Sequence, residues 1–175
     1  MKLKTRDIVY IGFIAALCAV ATTIRIEIPG GAMVHLGSAA LFTTSILFGG
    51  LYGGLGAAIG SALFDLFGGH TQYIVFSFFI KGIAGLIVGG MTAGYLPPSI
   101  NKPTASFSRI LVALIIGAIW TAFGYFIAWW FVLNSAAVAA SKIQYSLITS
   151  AAGIVVAIVL TPKLQKVVRK LFKKN

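Results

Sequence analysis

The chain has 175 residues, 59% of them hydrophobic and 10% charged, and its mean hydropathy is +0.98. That is too little charge to cover a soluble domain of this size. Its continuous apolar runs approach the ~20 residues a helix needs to cross a bilayer and exclude the short alternating segments of a transmembrane barrel. The net charge of +11 would suggest nucleic acid in a soluble protein, but the basic residues gather at the ends and in one loop, where membrane topology explains them. Cys18 is the only cysteine, which excludes an intramolecular disulfide and a cysteine-based metal site. The expected class is an all-α polytopic membrane protein, one domain over residues 1–175, with six transmembrane helices.

The basic start (Lys2, Lys4, Arg6) leads into an apolar run over residues 7–24 without an obvious cleavage site, which reads as a retained first span. Ala15 and Ala19 lie one turn apart on it, a spacing that lets another helix approach closely in lipid. Internal packing and a partner face are both open at this point. Arg25, Ile26, Glu27 and Ile28 alternate like a short extended piece at an interface, and Pro29, Gly30 and Gly31 break the chain before His35. His35 is either an interfacial residue or a ligand contact.

Residues 34–69 organise the chain. They supply a short second span (36–48), a glycine corner at Gly49, Gly50, Gly53 and Gly54, and a third span (51–67) that carries Gly53, Gly56 and Gly60 as a smooth stripe. Asp65 shares a face with Ser61 and reads as a structural or ion-pairing carboxylate. The fourth span (74–95) holds Lys81 about 10 Å below its entry at the helical rise. Snorkelling, a ligand, or a pair with Asp65 would each relieve the ~2.5–3.5 kcal/mol that a lysine costs at a bilayer centre. Gly82, Gly85 and Gly89 form a second stripe.

Pro97 and Pro98 end that span, and Lys102 and Arg109 mark a cytoplasmic side. The fifth span (107–133) is aromatic. Trp129 and Trp130 suit an interfacial belt, while Tyr125 and Trp129, one turn apart, would suit a stacking wall for a planar ligand. Asn134 opens a small outer loop. In the sixth span (141–160) Lys142, Tyr145 and Thr149 share a face with Gln144 beside them, and Thr161–Pro162 is expected to end it. Residues 163–175 read as a basic amphipathic tail on an anionic leaflet. The excess of Lys and Arg at the ends and in the 97–109 segment places both termini in the cytoplasm, with the His35, His70 and Asn134 segments outward.

These motifs together resemble the substrate-binding S component of an energy-coupling factor (ECF) vitamin transporter. The resemblance rests on the Ala15/Ala19 pair, V-H-L-G at Val34–Gly37, L-F-G-G-x-x-G-G-x-x-G from Leu47 with Asp65-Leu66 following, and K-G-x-x-G from Lys81. It covers nearly the whole chain and is most similar to the hydroxymethylpyrimidine or pyridoxine type. Such a component binds a vitamin or precursor near the outer surface of the cell membrane. It joins a transmembrane coupling subunit and two cytoplasmic ATPases, which use the ATP, and it needs no cofactor of its own. The absence of a Walker motif agrees with energy supplied by partners. The resemblance also implies that Ala15 and Ala19 face the coupling subunit. The polar set His35, Lys81, Asn134, Gln144 and Tyr145, with Tyr125 and Trp129, would suit a small heteroaromatic alcohol. Lys81 would equally suit the carboxylate of pantothenate, and a riboflavin type is related. An integral membrane enzyme is the competing class. Against it, the three acidic residues, Asp7, Glu27 and Asp65, lie on different segments and make no catalytic cluster.

Overall fold

The structure is a computed structural model that describes residues 4–28, 32–95 and 105–172. The turn expected at Pro29, Gly30 and Gly31, the Pro97–Pro98 loop with Lys102, and the termini at 1–3 and 173–175 lie outside the described residues. Among the described residues six α-helices are seen: α1 Thr5–Thr23, α2 Gly37–Phe48, α3 Gly50–Phe67, α4 Ile74–Thr92, α5 Phe107–Leu133 and α6 Ala136–Phe172. Between α1 and α2 stands a two-stranded antiparallel hairpin, β1 Arg25–Ile28 and β2 Ala32–His35. A 3-10 turn, Thr71–Tyr73, precedes α4.

Among the described residues, five helices are long and apolar enough to cross a membrane, α4 counted together with its 3-10 turn. The exception is α2. Its 12 residues reach about 18 Å at the helical rise, against a hydrocarbon core of about 30 Å. Gly37 to Ile46 are all buried, as befits a helix packed inside a bundle. The short hairpin completes that layer. Extended backbone is tolerated there because the two strands satisfy one another and lie against protein. Leu36 N–H also donates to the Ile24 carbonyl at 3.2 Å, closing the base of the hairpin. The alternation of Arg25 to Ile28 thus becomes a strand, with Arg25 opposite His35.

The glycines set how closely the helices approach. Gly49, at φ 84°, turns the chain from α2 into α3, a conformation glycine adopts without a Cβ penalty. A Cβ on Gly85 would come within 2.7 Å of the Gly54 Cα, so α3 and α4 touch backbone to backbone. Gly60 likewise faces the Ala15 carbonyl of α1. Ala15 is buried and Ala19 half-buried. Ala15, expected at a partner face, is thus covered within the chain in this structure.

The sixth helix departs from its expected end. It runs on through Pro162 to Phe172, where the sequence suggested a stop and a separate tail. Proline removes one intrahelical hydrogen bond, and in membrane helices neighbouring helices and local adjustment absorb that loss. Thr161 beside it is buried.

A polar cavity at one end of the bundle

The ends of α3, α4, α5 and α6 and the hairpin converge on a cavity of about 90 Å³. Lys81 is its deepest charge and is 4% exposed. Its Nζ donates to Ser38 Oγ on α2 at 3.1 Å and sits 5.4 Å from the centroid of the Tyr125 ring, within the range of a cation–π contact. Tyr125 in turn shares a 3.0 Å hydroxyl–hydroxyl hydrogen bond with Ser77 of α4. Its ring lies 5.6 Å from that of Trp129, tilted by 32°. One wall is therefore aromatic, with an ammonium at its foot.

The facing wall comes from α3 and the loop after it. Asp65 is buried, and its carbonyl accepts from the His70 N–H at 2.8 Å. This brings the His70 ring onto Phe64, with centroids 6.0 Å apart. Arg25 of β1 lies over the other part of this layer, 5.1 Å from the Phe64 centroid, and pairs with Glu27 at 2.8 Å. Asp65 and Lys81 line the same cavity but do not form the ion pair that the sequence left open. Arg25–Glu27 is the only ion pair among the described residues.

His35 closes the hairpin side. Its Nδ1 accepts from the Gly37 N–H at 3.1 Å, which requires an unprotonated Nδ1. Burial, then the nearby charges of Lys81 and Arg25, push its imidazole down to about 3. His35 is therefore a neutral acceptor at physiological pH. Thr149 Oγ1 of α6 reaches the Met33 carbonyl at 3.4 Å, tying the hairpin to the helix behind it.

Of the residues expected at a ligand, the structure brings His35, Lys81, Tyr125 and Trp129 together in the cavity lining. Asn134, Gln144 and Tyr145 do not line it. Asn134 instead caps α5 at φ 52° and is exposed; asparagine tolerates the left-handed conformation that ends a helix. Gln144 is exposed, because it stands two residues, about 200° at 3.6 residues per turn, from the inward-facing Ser146. Tyr145 is half-buried beside them.

The sequence reading missed Thr22, Ser38, Ser77, Thr121 and Ser146 in this lining, and did not propose His70 as a contact. A signal was present for several. Ser77–Lys81, Ser61–Asp65 and Thr121–Tyr125–Trp129 are polar or aromatic rows at a four-residue period, which stack residues on one helix face.

A bundle of membrane-spanning helices around a cavity that is aromatic on one side and carries a buried ammonium is built to hold a small molecule. Residues 2–166 match the family described as the ECF-type riboflavin transporter, S component, and the chain belongs to this family of ECF transporter S components. It is thus a multi-pass membrane protein that binds substrate for a transporter and works with other ECF components. It is not an enzyme, which sets aside the competing class. A relative from Pyrococcus woesei, described as an uncharacterized protein in gap 3'region, is 28% identical over 142 residues, spanning 81% of this chain and 88% of its own. Among solved structures, the S component of a bacterial ECF transporter superposes with a TM-score of 0.72 at 19% identity, covering 95% of this chain and 99% of that one. That likeness is one of fold.

Proposed function

We propose that the chain captures a single-ring heteroaromatic vitamin or vitamin precursor, of the hydroxymethylpyrimidine or pyridoxine type, at the outer face of the cell membrane. A transmembrane coupling subunit and two cytoplasmic ATPases then drive its delivery inward. Both termini lie in the cytoplasm in this reading, by the distribution of Lys and Arg. The observation that carries the substrate class is the cavity of about 90 Å³ between Lys81 and the Tyr125–Trp129 pair. A cavity of roughly 150 Å³ holds one benzene, so even a single ring requires this one to widen, and a fused tricycle requires it to widen far more. Tyr125 and Trp129 stack the ring, Lys81 donates to a ring nitrogen or hydroxyl, and His35 borders the hydroxymethyl side.

Riboflavin is the second reading, favoured by the description of the matching family. It requires the walls to part around a larger ligand. Mass spectrometry of small molecules released from gently purified protein decides between them. A pyrimidine or pyridine is the expected result. A flavin, visible as a yellow preparation, would replace the first reading with the second.

A further inference from the structure

A second and larger cavity opens between the start of α5 and the later part of α6, about 390 Å³ against about 90 Å³ for the polar one. Phe107, Ile110, Ile158 and Pro162 are among the residues that line it, with Gln165 and Lys166 beside them. None of these six belongs to the site already described. A cavity of roughly 150 Å³ holds one benzene, so by proportion this one takes about fifteen carbon atoms, the size of one acyl chain. Its depth along α6 agrees with a lipid. Counted from Ala136 at the outer surface, Ile158 stands about 33 Å along the helix and Lys166 about 45 Å, while a bilayer with its headgroups is about 40–45 Å thick. Ile158 thus lies among inner-leaflet acyl chains and Lys166 at the level of their phosphates. The charge agrees as well. Lys166 is exposed, as are Lys163 one turn before it and Arg109 on α5. Neither α5 nor α6 contains an acidic residue to neutralise them.

We propose that this crevice holds one anionic phospholipid of the inner leaflet, with an acyl chain against Phe107, Ile110, Ile158 and Pro162 and its phosphate met by Lys166. The inference rests on the cytoplasmic placement of the termini above and is independent of which vitamin is bound. It goes beyond a basic tail resting on a charged surface. Such a tail feels a diffuse attraction, shared among its basic residues and screened within a Debye length. A crevice instead fixes one lipid beside one lysine. A choline lipid offers the same chain but carries a cation next to its phosphate, so Lys166 gains less from it. A free phosphate leaves the apolar wall uncovered. The coupling subunit is the poorer occupant, because its contact is expected on α1, which packs chiefly against α2 and α3.

The test is native mass spectrometry of the full chain released from micelles doped with equal amounts of dioleoyl-phosphatidylglycerol and dioleoyl-phosphatidylcholine. One phosphatidylglycerol per chain is expected, retained about fivefold over phosphatidylcholine, the scale of one lysine at an anionic surface. Lys166→Gln is expected to bring the two lipids close to parity. Arg6→Gln, which removes a basic residue of α1 outside the crevice, is expected to leave the preference unchanged. Both side chains are exposed, so neither substitution threatens the fold. Retention of neither lipid, equal retention of both, or equal loss in the two variants overturns the site and leaves only diffuse attraction. Loss of co-purification with the coupling subunit in Lys166→Gln, with no lipid preference in the natural protein, overturns it in favour of that partner. None of these results touches the vitamin reading, which is decided by the released small molecule.

Discussion

Lys81 is buried in the bundle, hydrogen-bonded to one hydroxyl and set over one ring. A side chain so placed for packing alone would be better as a methionine, which fills similar volume without a charge to desolvate. Lys81→Met is therefore expected to raise the melting temperature of the ligand-free protein by a few degrees and to weaken ligand binding at least tenfold, as is common where a site trades stability for function. Scanning fluorimetry and calorimetry on the same preparation check both. A large fall in melting temperature would instead make Lys81 a structural strut. His35 carries a different expectation. Burial, then the charges of Lys81 and Arg25, hold its folded imidazole down at about 3 against 6.5 unperturbed, so between these values the unfolded chain takes up a proton that the folded chain refuses. Stability from this group is complete above pH 6.5 and is lost as the pH falls toward 3. Melting temperatures between pH 7 and pH 5 should decline on this account. His35→Asn, whose side-chain carbonyl can still accept from Gly37, should flatten the decline. An unchanged slope in the variant would assign the pH dependence elsewhere.

The helices were legible in the sequence to the extent that their packing partners were visible in it. The stripes Gly53–Gly56–Gly60 and Gly82–Gly85–Gly89 announce close contact. What they contact is a tertiary fact: Gly54 meets Gly85, Gly56 meets Ile14, and Gly60 meets Ala15. The span 107–133 emerges at the expected bounds, with Asn134 ending it in the left-handed conformation. The continuation of α6 through Pro162 was hidden, because local propensity argues for a stop and only packing against neighbours overrides it. The same limit applied to the cavity. Lys81 and Tyr125 stand out singly, whereas Ser38, Ser77 and Ser146 are ordinary serines until the fold aims them at one space. The contact logic predicts a matched pair. Gly85→Ala forces a methyl into the Gly54 backbone and should cost about 1–3 kcal/mol, the usual price of overpacking, seen as a clear loss of melting temperature. Gly12→Ala has nothing within 4 Å of the new methyl and should leave the isolated chain at least as stable, since alanine is the better helix former. Equal effects from both would mean that α3 and α4 do not touch as described.

For the molecule as a whole, the proposed coupling subunit needs a surface on the bundle apart from the cavity. Family resemblance assigns the coupling contact to small residues of α1, but Ala15 is buried within the chain. On the same helix Gly12 and Ala16 are exposed at the same four-residue spacing, flanked by Val9, Phe13 and Val20, which are exposed as well. Small residues bordered by large apolar ones let a partner helix approach in lipid. This makes the Gly12–Ala16 face the better candidate for the transmembrane coupling subunit. The face is remote from Lys81 in sequence and absent from the cavity lining, so the two functions should separate. Ala16→Trp is expected to abolish co-purification with the coupling subunit while the ligand dissociation constant stays within about twofold, well below the tenfold that 1.4 kcal/mol would produce. Ala15→Trp, by contrast, should lower the melting temperature and disturb ligand binding and assembly together, because the ring has no room against α3. Normal assembly of Ala16→Trp would move the coupling surface off this face of α1, and loss of assembly by Ala15→Trp with its fold intact would return the contact to the alanine pair.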